Sequence, residues 1–177
     1  MSLRFLLPCR TAVRTSLAYL ILVSLLSLAA VAQPAGDPAA PTPAADTSRP
    51  TLFIIGDSTA SNSADLGWGS HLGKYFDPDR IHVVNRARGG RSSRTFRSEG
   101  LWAEVLEQLK PGDFVLIQFG HNDGGMPGVP PDRGSLPGLG EETRDITNLR
   151  GEEETVHTFG WYMRQYVREA REKGATP

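Results

Sequence analysis

A serine stands where an apolar run breaks off: Phe53-Ile54-Ile55-Gly56-Asp57-Ser58-Thr59. A hydroxyl there can act as a nucleophile if a base takes its proton and donors receive the oxyanion that forms. A strand-to-helix turn offers such donors, since the first N–H groups of a helix are unpaired and carry positive potential. A competing reading is helix capping, because Asp57, Ser58 and Thr59 are all N-cap types. From Gly-Asp-Ser alone, the cap is the stronger reading. A second apolar run, Phe114 to Phe119, ends in Gly120-His121-Asn122-Asp123. The Asn122 side chain can donate to an oxyanion. Asn122 and Asp123 are equally good turn formers, and His121 can be a buried, hydrogen-bonded residue.

Between these lies Asn85-Arg86-Ala87-Arg88-Gly89-Gly90-Arg91-Ser92-Ser93-Arg94-Thr95-Phe96. Gly89-Gly90 lets the backbone come close to a ligand and expose an N–H. Arg86, Arg88, Arg91, Arg94 and Arg97 would suit an anionic substrate through bidentate carboxylate contacts. Alternatively they are solvated, or paired with Glu99, Glu104 and the acidic run Glu152-Glu153-Glu154. A metal site is not indicated, since His71, His82, His121 and His157 have no close spacing and no cysteine partner.

The elements that position these groups follow from periodicity. Thr51–Ile55, Ile81–Val84 and Phe114–Phe119 read as short buried strands. Trp68–Phe76 reads as a short helix with Leu72, Tyr75 and Phe76 on one side. Leu101–Leu109 reads as a helix stopped by Lys110-Pro111-Gly112. Strand, helix, strand, helix, strand predicts an α/β fold with a parallel sheet, and ligands bind at the C-terminal ends of such strands. The stretch 124–157 is Gly- and Pro-rich and predicts a long irregular, substrate-facing loop, with a mobile insertion as the alternative. Phe159, Tyr162, Met163, Tyr166, Val167 and Ala170 then make the core-facing stripe of a final helix, with Gly174 as its C-cap. A strand should come next, and the sequence leaves no room for one.

Residues 1–32 predict a signal peptide: Arg4, Arg10 and Arg14, an apolar Leu17–Leu28, then Ala30-Val31-Ala32. Residues 33–50 are Ala- and Pro-rich and predict a flexible tether, and the folded domain is expected over 51–177. An exported protein, periplasmic or secreted, is expected, without a stable membrane anchor after cleavage. Beyond residue 32 there are 16 basic and 20 acidic residues, a mild balance that argues against bulk nucleic-acid binding. The single cysteine, Cys9, lies in the expected signal, so the remainder has neither a disulfide nor a thiolate nucleophile.

The ordered set Gly56-Asp57-Ser58-Thr59, Gly67-Trp68-Gly69, Gly90-Arg91-Ser92 and Phe119-Gly120-His121-Asn122-Asp123-Gly124-Gly125 resembles the SGNH, or GDSL-type, hydrolase superfamily. Within it the likeness is to the rhamnogalacturonan acetylesterase branch. The resemblance implies a three-layer α/β/α sandwich around a five-stranded, flavodoxin-like parallel sheet. It also implies Ser58 as nucleophile, with the Ser58 N–H, the Gly90 N–H and the Asn122 side chain as oxyanion hole, and no cofactor. Asp57, Arg91, His121, Asp123 and His157 are candidate substrate-binding residues. The expected substrate is an acetylated acidic polysaccharide of pectic type, handled by a monomer when full length.

One part of the family pattern is missing. The general base of these enzymes is the histidine of a C-terminal Asp-x-x-His block, and the C-terminal part of this sequence contains none. Asp145 is followed three residues on by Asn148, while Glu154-Thr155-Val156-His157 has the spacing with a different acid. His157 is therefore expected to line the substrate groove or cap the next helix, and less readily to serve as a base. The sequence is accordingly expected to be the C-terminally incomplete part of an esterase and nearly inactive by itself. An open edge on the third strand and an uncovered final helix should then favour aggregation. Two other readings are a non-catalytic glycan-binding module and a lipase or thioesterase of the same superfamily.

Overall fold

The computed structural model describes residues 49–62 and 65–177. The expected signal peptide and nearly all of the expected tether lie outside the described residues. Strand β1 (Thr51–Gly56) is central, flanked by β2 (His82–Asn85) and β3 (Phe114–Gln118), and both pairings are parallel. The order β2-β1-β3 is that of the first three strands of a flavodoxin-like sheet.

Alternation along the strands sorts the side chains into two faces. Phe53, Ile55, Val84, Val115 and Ile117 face the main core, where they meet α2 (Thr95–Ser98), α3 (Leu101–Gln108) and α4 (Phe159–Glu172). The opposite face carries Ile54, Val83 and Asn85, against α1 (Gly69–Leu72) and the 3-10 turn Gly73–Tyr75. Helices therefore flank the sheet on both sides. At its centre Tyr166 is fully buried, edge-on to Trp102 and stacked with Phe119, ring centroids 4.9 and 5.5 Å away.

Three expectations need correction. The helix over Trp68–Phe76 holds for a single turn before tightening into the 3-10 turn, which ends Phe76 in extended backbone. Tyr75 and Phe76 are exposed as a result, and the Lys74 ammonium sits over the Tyr75 ring. The stretch 124–157 is not irregular throughout: β4 (Thr143–Thr147) and β5 (Glu153–His157) form an antiparallel hairpin. Its turn is built on Asn148, whose Oδ1 accepts from the Arg150 and Glu152 N–H groups. Finally, the edge of β3 is not bare: the chain beyond α4 makes one β-bridge to it. Gly174, at φ +77°, turns the chain out of the helix, and Thr176 then pairs in parallel with Phe114 on the outer side of β3. The bonds are Thr176 N–H to the Asp113 carbonyl, 2.8 Å, and Val115 N–H to the Thr176 carbonyl, 2.9 Å. Of the α4 stripe, Tyr162, Tyr166 and Ala170 are buried, while Phe159, Met163 and Val167 stay half-buried.

Two carboxylates join the layers. Glu169 of α4 takes both guanidinium nitrogens of Arg97, at 2.8 and 2.9 Å, and the Trp102 indole N–H at 2.6 Å. Asp132 takes the Gly128 and Leu149 N–H groups and the buried Arg94 guanidinium, fastening the loop before β4 to α2. Burial pushes both carboxyls up, but these donors outweigh it and hold both below the ordinary carboxylate range.

A carboxyl depressed in the folded state adds stability above its unfolded pKa and loses it as pH falls toward the folded value. Denaturant stability is therefore expected to hold at neutral pH and to fall on acidification below about pH 4. Glu169→Gln should cost about 1–3 kcal/mol at neutral pH and flatten the acid limb. Urea midpoints measured from pH 7 downward check this, and an unchanged acid limb in the variant would refute it.

Candidate active site

Three strand ends meet at one rim, and each carries one block of polar residues. After β1 the chain makes one tight helical turn. The Asp57 carbonyl accepts the Ala60 and Ser61 N–H groups, and its Oδ1 accepts the Thr59 N–H at 2.8 Å. Asp57 is thus the cap, and it is completely buried, with Oδ2 unpaired. This separates the two readings of Ser58. The capping task falls on its neighbour, and among the described residues neither the hydroxyl nor the N–H of Ser58 has a hydrogen-bond partner.

Gly67-Trp68-Gly69 braces this turn from outside. Trp68 N–H donates to the Thr59 carbonyl and Gly69 N–H to that of Ala60, which also accepts from the Asn85 amide. The approach is so close that a methyl group on Gly67 would lie 2.5 Å from the Ala60 carbonyl.

After β2, residues 88–91 form a β-turn with Gly90 at φ +79°, a value that a type II turn needs at its third position. A methyl on Gly89 would lie 3.6 Å from Cβ of Ser58, so this turn abuts the serine. The Gly90 N–H has no acceptor among the described residues. After β3, the Asn122 amide donates to the Arg91 carbonyl at 2.9 Å, which fixes the side chain and leaves its second N–H unassigned. Ser58, Gly90 and Asn122 are thereby linked through one continuous set of contacts.

The other candidates play different parts. Asp123 is buried and accepts from Ser93 N–H (3.1 Å), Ser93 Oγ (2.5 Å) and Ser135 Oγ (3.1 Å), so its oxygens are occupied inside the protein. Arg91 is held by Glu99, Nε to Oε2 at 2.9 Å. His121 is exposed on the Gly120–Asp123 turn. His157 lies between the hairpin and α4, its ring stacked on Trp161 with centroids 3.7 Å apart and Nδ1 buried without a partner. None of its contacts leads to Ser58. It does not cap α4 either; Thr158 does, accepting the Trp161 N–H at 3.1 Å.

Sequence reasoning missed Arg133. Gly125 and Gly134 bring two backbone segments together so tightly that a methyl on Gly134 would overlap the Gly125 carbonyl, 1.7 Å away. That folds the chain back and sets the Arg133 guanidinium 3.3 Å from a methyl built on Gly90. Its Nη1 lies 3.5 Å from Asn122 Oδ1, and no carboxylate among the described residues pairs with it. Of the five arginines in 86–97, by contrast, Arg91, Arg94 and Arg97 are ion-paired and Arg86 bonds Gln108. Beside Gly120 and Asp123 opens a cavity of about 510 Å³, lined also by Met126, Leu136, Arg144 and Phe159.

Residues 54–177 match the GDSL-like lipase/acylhydrolase family. Over 125 residues the chain is 39% identical to a rhamnogalacturonan acetylesterase of Emericella nidulans, covering 71% of this chain and 49% of that protein. Over 130 residues it is 36% identical to YesY, a probable rhamnogalacturonan acetylesterase of Bacillus subtilis, covering 71% and 50%. The chain spans about half the length of these curated relatives. The crystal structure of YxiM from Bacillus subtilis superposes with a TM-score of 0.51 at 29% identity, over 73% of this chain and 33% of that one.

The Gly67 brace gives a direct test of how the Ser58 turn is held. Gly67→Ala should cost about 1–3 kcal/mol, since a methyl pressed on backbone cannot be relieved by a rotamer change. Hydrogen exchange at the Ala60 and Ser61 amides should quicken. Wild-type protection at both amides would show that the turn stands without the brace.

Proposed function

This chain belongs to the GDSL-like lipase/acylhydrolase family, and from that premise we propose that it works as a serine acetylesterase on an acetylated acidic polysaccharide of pectic type. The observation that carries the reading is the unpaired Ser58 hydroxyl beside two unpaired N–H groups and a fixed Asn122 amide. Ser58 Oγ attacks the acetyl carbonyl as the histidine expected from the family's Asp-x-x-His block takes its proton, and the oxyanion is received by the Ser58 and Gly90 N–H groups and by Asn122. That proton passes to the sugar oxygen as the ester C–O bond breaks and the alcohol leaves; water, giving its proton to the same base, then releases acetate from the acyl-serine. No cofactor enters these steps. Arg133 supplies a cation for a uronate carboxylate next to the scissile ester, and the cavity beside Gly120 can seat a neighbouring sugar.

The relatives' names support this substrate class over the lipase reading. The signal-like residues 1–32 support export, to a periplasm or beyond the cell, and the mild net charge supports a glycan rather than a nucleic acid as partner. A monomer accords with a site assembled within one chain. One observation favours a second reading, a glycan-binding module without catalysis: among the described residues no histidine bonds Ser58, and the ring of His157 stacks on Trp161 instead.

Acetate release distinguishes the two. Joining this chain to the C-terminal half of YesY supplies the second half of a relative, where the family's Asp-x-x-His block is expected. The joined protein should release acetate from acetylated rhamnogalacturonan, and Ser58→Ala should abolish it. The 177-residue chain should be slower by a factor of about 10³ or more, as expected for a triad lacking one member. Turnover that survives Ser58→Ala would end the serine mechanism. Glycan binding without any acetate release would favour the binding module.

Arg133→Ala makes a finer test in the same joined protein. KM for the acidic polysaccharide should rise about tenfold, the loss of one charge-assisted bond, with little change for a neutral aryl acetate. Equal losses on both substrates would assign Arg133 to the chemistry instead.

A further inference from the structure

Arg91 touches both sides of the oxyanion hole without facing into it. Its Nη1 donates to the Gly89 carbonyl at 3.0 Å, and that carbonyl belongs to the same peptide unit as the Gly90 N–H. In a planar trans peptide the C=O and N–H point in opposite directions, so holding one oxygen fixes the direction of the other group's hydrogen. The guanidinium also polarises the unit, making the N–H a stronger donor. On the other side, the Arg91 backbone carbonyl accepts the Asn122 amide at 2.9 Å. The guanidinium itself is anchored through Nε and Nη2 on Glu99, at 2.9 and 2.8 Å. One residue therefore touches the peptide of one donor and the side chain of the other.

We propose that Arg91 is a positioning residue, anchored on Glu99, that aims the Gly90 N–H and the Asn122 amide at the reacting carbonyl. This rests on the esterase reading for its catalytic consequence but not for its geometry. It differs from a substrate contact in a way that can be measured. An arginine that binds a substrate carboxylate lowers KM, and freeing it from Glu99 would strengthen that binding. A positioning arginine acts on kcat, and freeing it from Glu99 weakens catalysis.

The experiment uses Arg91→Met, Arg91→Lys and Glu99→Gln, with two readouts. In the 15N,13C-labelled 177-residue chain, the Gly89 carbonyl carbon and Gly90 amide resonances should move in Arg91→Met. Resonances of Phe53–Ile55 and Tyr166 should stay in place, which shows that the fold is kept. In the form joined to the YesY half, kcat should fall about tenfold to a hundredfold with KM little changed, short of the 10²–10³ lost when an oxyanion donor is deleted outright. Arg91→Lys should recover part of kcat, since an ammonium can reach the Gly89 carbonyl but cannot also grip Glu99 through two nitrogens. Glu99→Gln, a change at a partly exposed side chain, should lower kcat more mildly. Unmoved Gly89 and Gly90 resonances would overturn the proposal, as would a KM that rises in Arg91→Met or falls in Glu99→Gln at constant kcat. If the joined form shows no Ser58-dependent turnover, the esterase reading fails by itself, and the carbonyl shift still decides what Arg91 does.

Discussion

The buried carboxylate of Asp123 is the constraint on which the site depends. A carboxylate removed from water costs several kcal/mol unless donors replace its hydration. Here the donors come from two other segments: Ser93 gives its N–H and its hydroxyl, and Ser135 gives its hydroxyl. The Asp123 carbonyl takes the Ser135 N–H as well. Meeting that carboxylate ties together the turn after β2, the turn after β3 and the returning loop. Tyr166 extends the lock into the core, donating its buried hydroxyl to the Ser93 carbonyl at 2.7 Å. Helix α4, far along the chain, thus helps set where the residues around Gly90 stand.

How much of this could be read from residues alone depends on where each signal lives. β1, β3, α3 and α4 are legible because each buries a continuous run or a stripe of large apolar side chains. The three polar blocks are legible because they sit at strand ends in a fixed order. The hairpin is not. β4 is exposed except for Ile146, so it carries no alternation between core and solvent, and its pairing rests on backbone bonds, the Asn148 turn and the cross-strand Thr147–Glu153 and Thr155–Asp145 hydrogen bonds. Thr176 pairing with Phe114 is equally silent, since two residues are too few to show a period.

Charge is the least legible layer, because an arginine's partner is a tertiary fact. The cluster within 86–97 looks in sequence like one anionic-ligand patch. In the fold, Glu99, Asp132 and Glu169 take up Arg91, Arg94 and Arg97 one by one. Glu99 and Glu154, which lies 3.5 Å from Arg94 Nη1, are among the partners the sequence suggests. Glu169 lies beyond the hairpin and Asp132 within the loop. Among the described residues Arg133 is a cation beside Gly90 that no carboxylate pairs with, and its place is decided by the contact of Gly125 with Gly134.

An oxyanion hole must keep N–H groups unpaired in the resting protein yet fixed in direction, and these demands conflict. A donor without an acceptor tends to rotate toward a neighbouring carbonyl or be lost to water. In the oxyanion hole proposed for this chain, the conflict is met by bonding the other end of each group. Asp57 takes the Thr59 N–H and holds the turn that presents the Ser58 N–H, and Arg91 holds the Gly89 oxygen opposite the Gly90 N–H. The Asn122 amide spends one hydrogen on the Arg91 carbonyl, which leaves the direction of the second determined. Each donor is therefore oriented through atoms that do not face the substrate. On that proposal the cost of ordering is met when the chain folds, so little reorganisation is left for the moment when charge develops on the carbonyl oxygen.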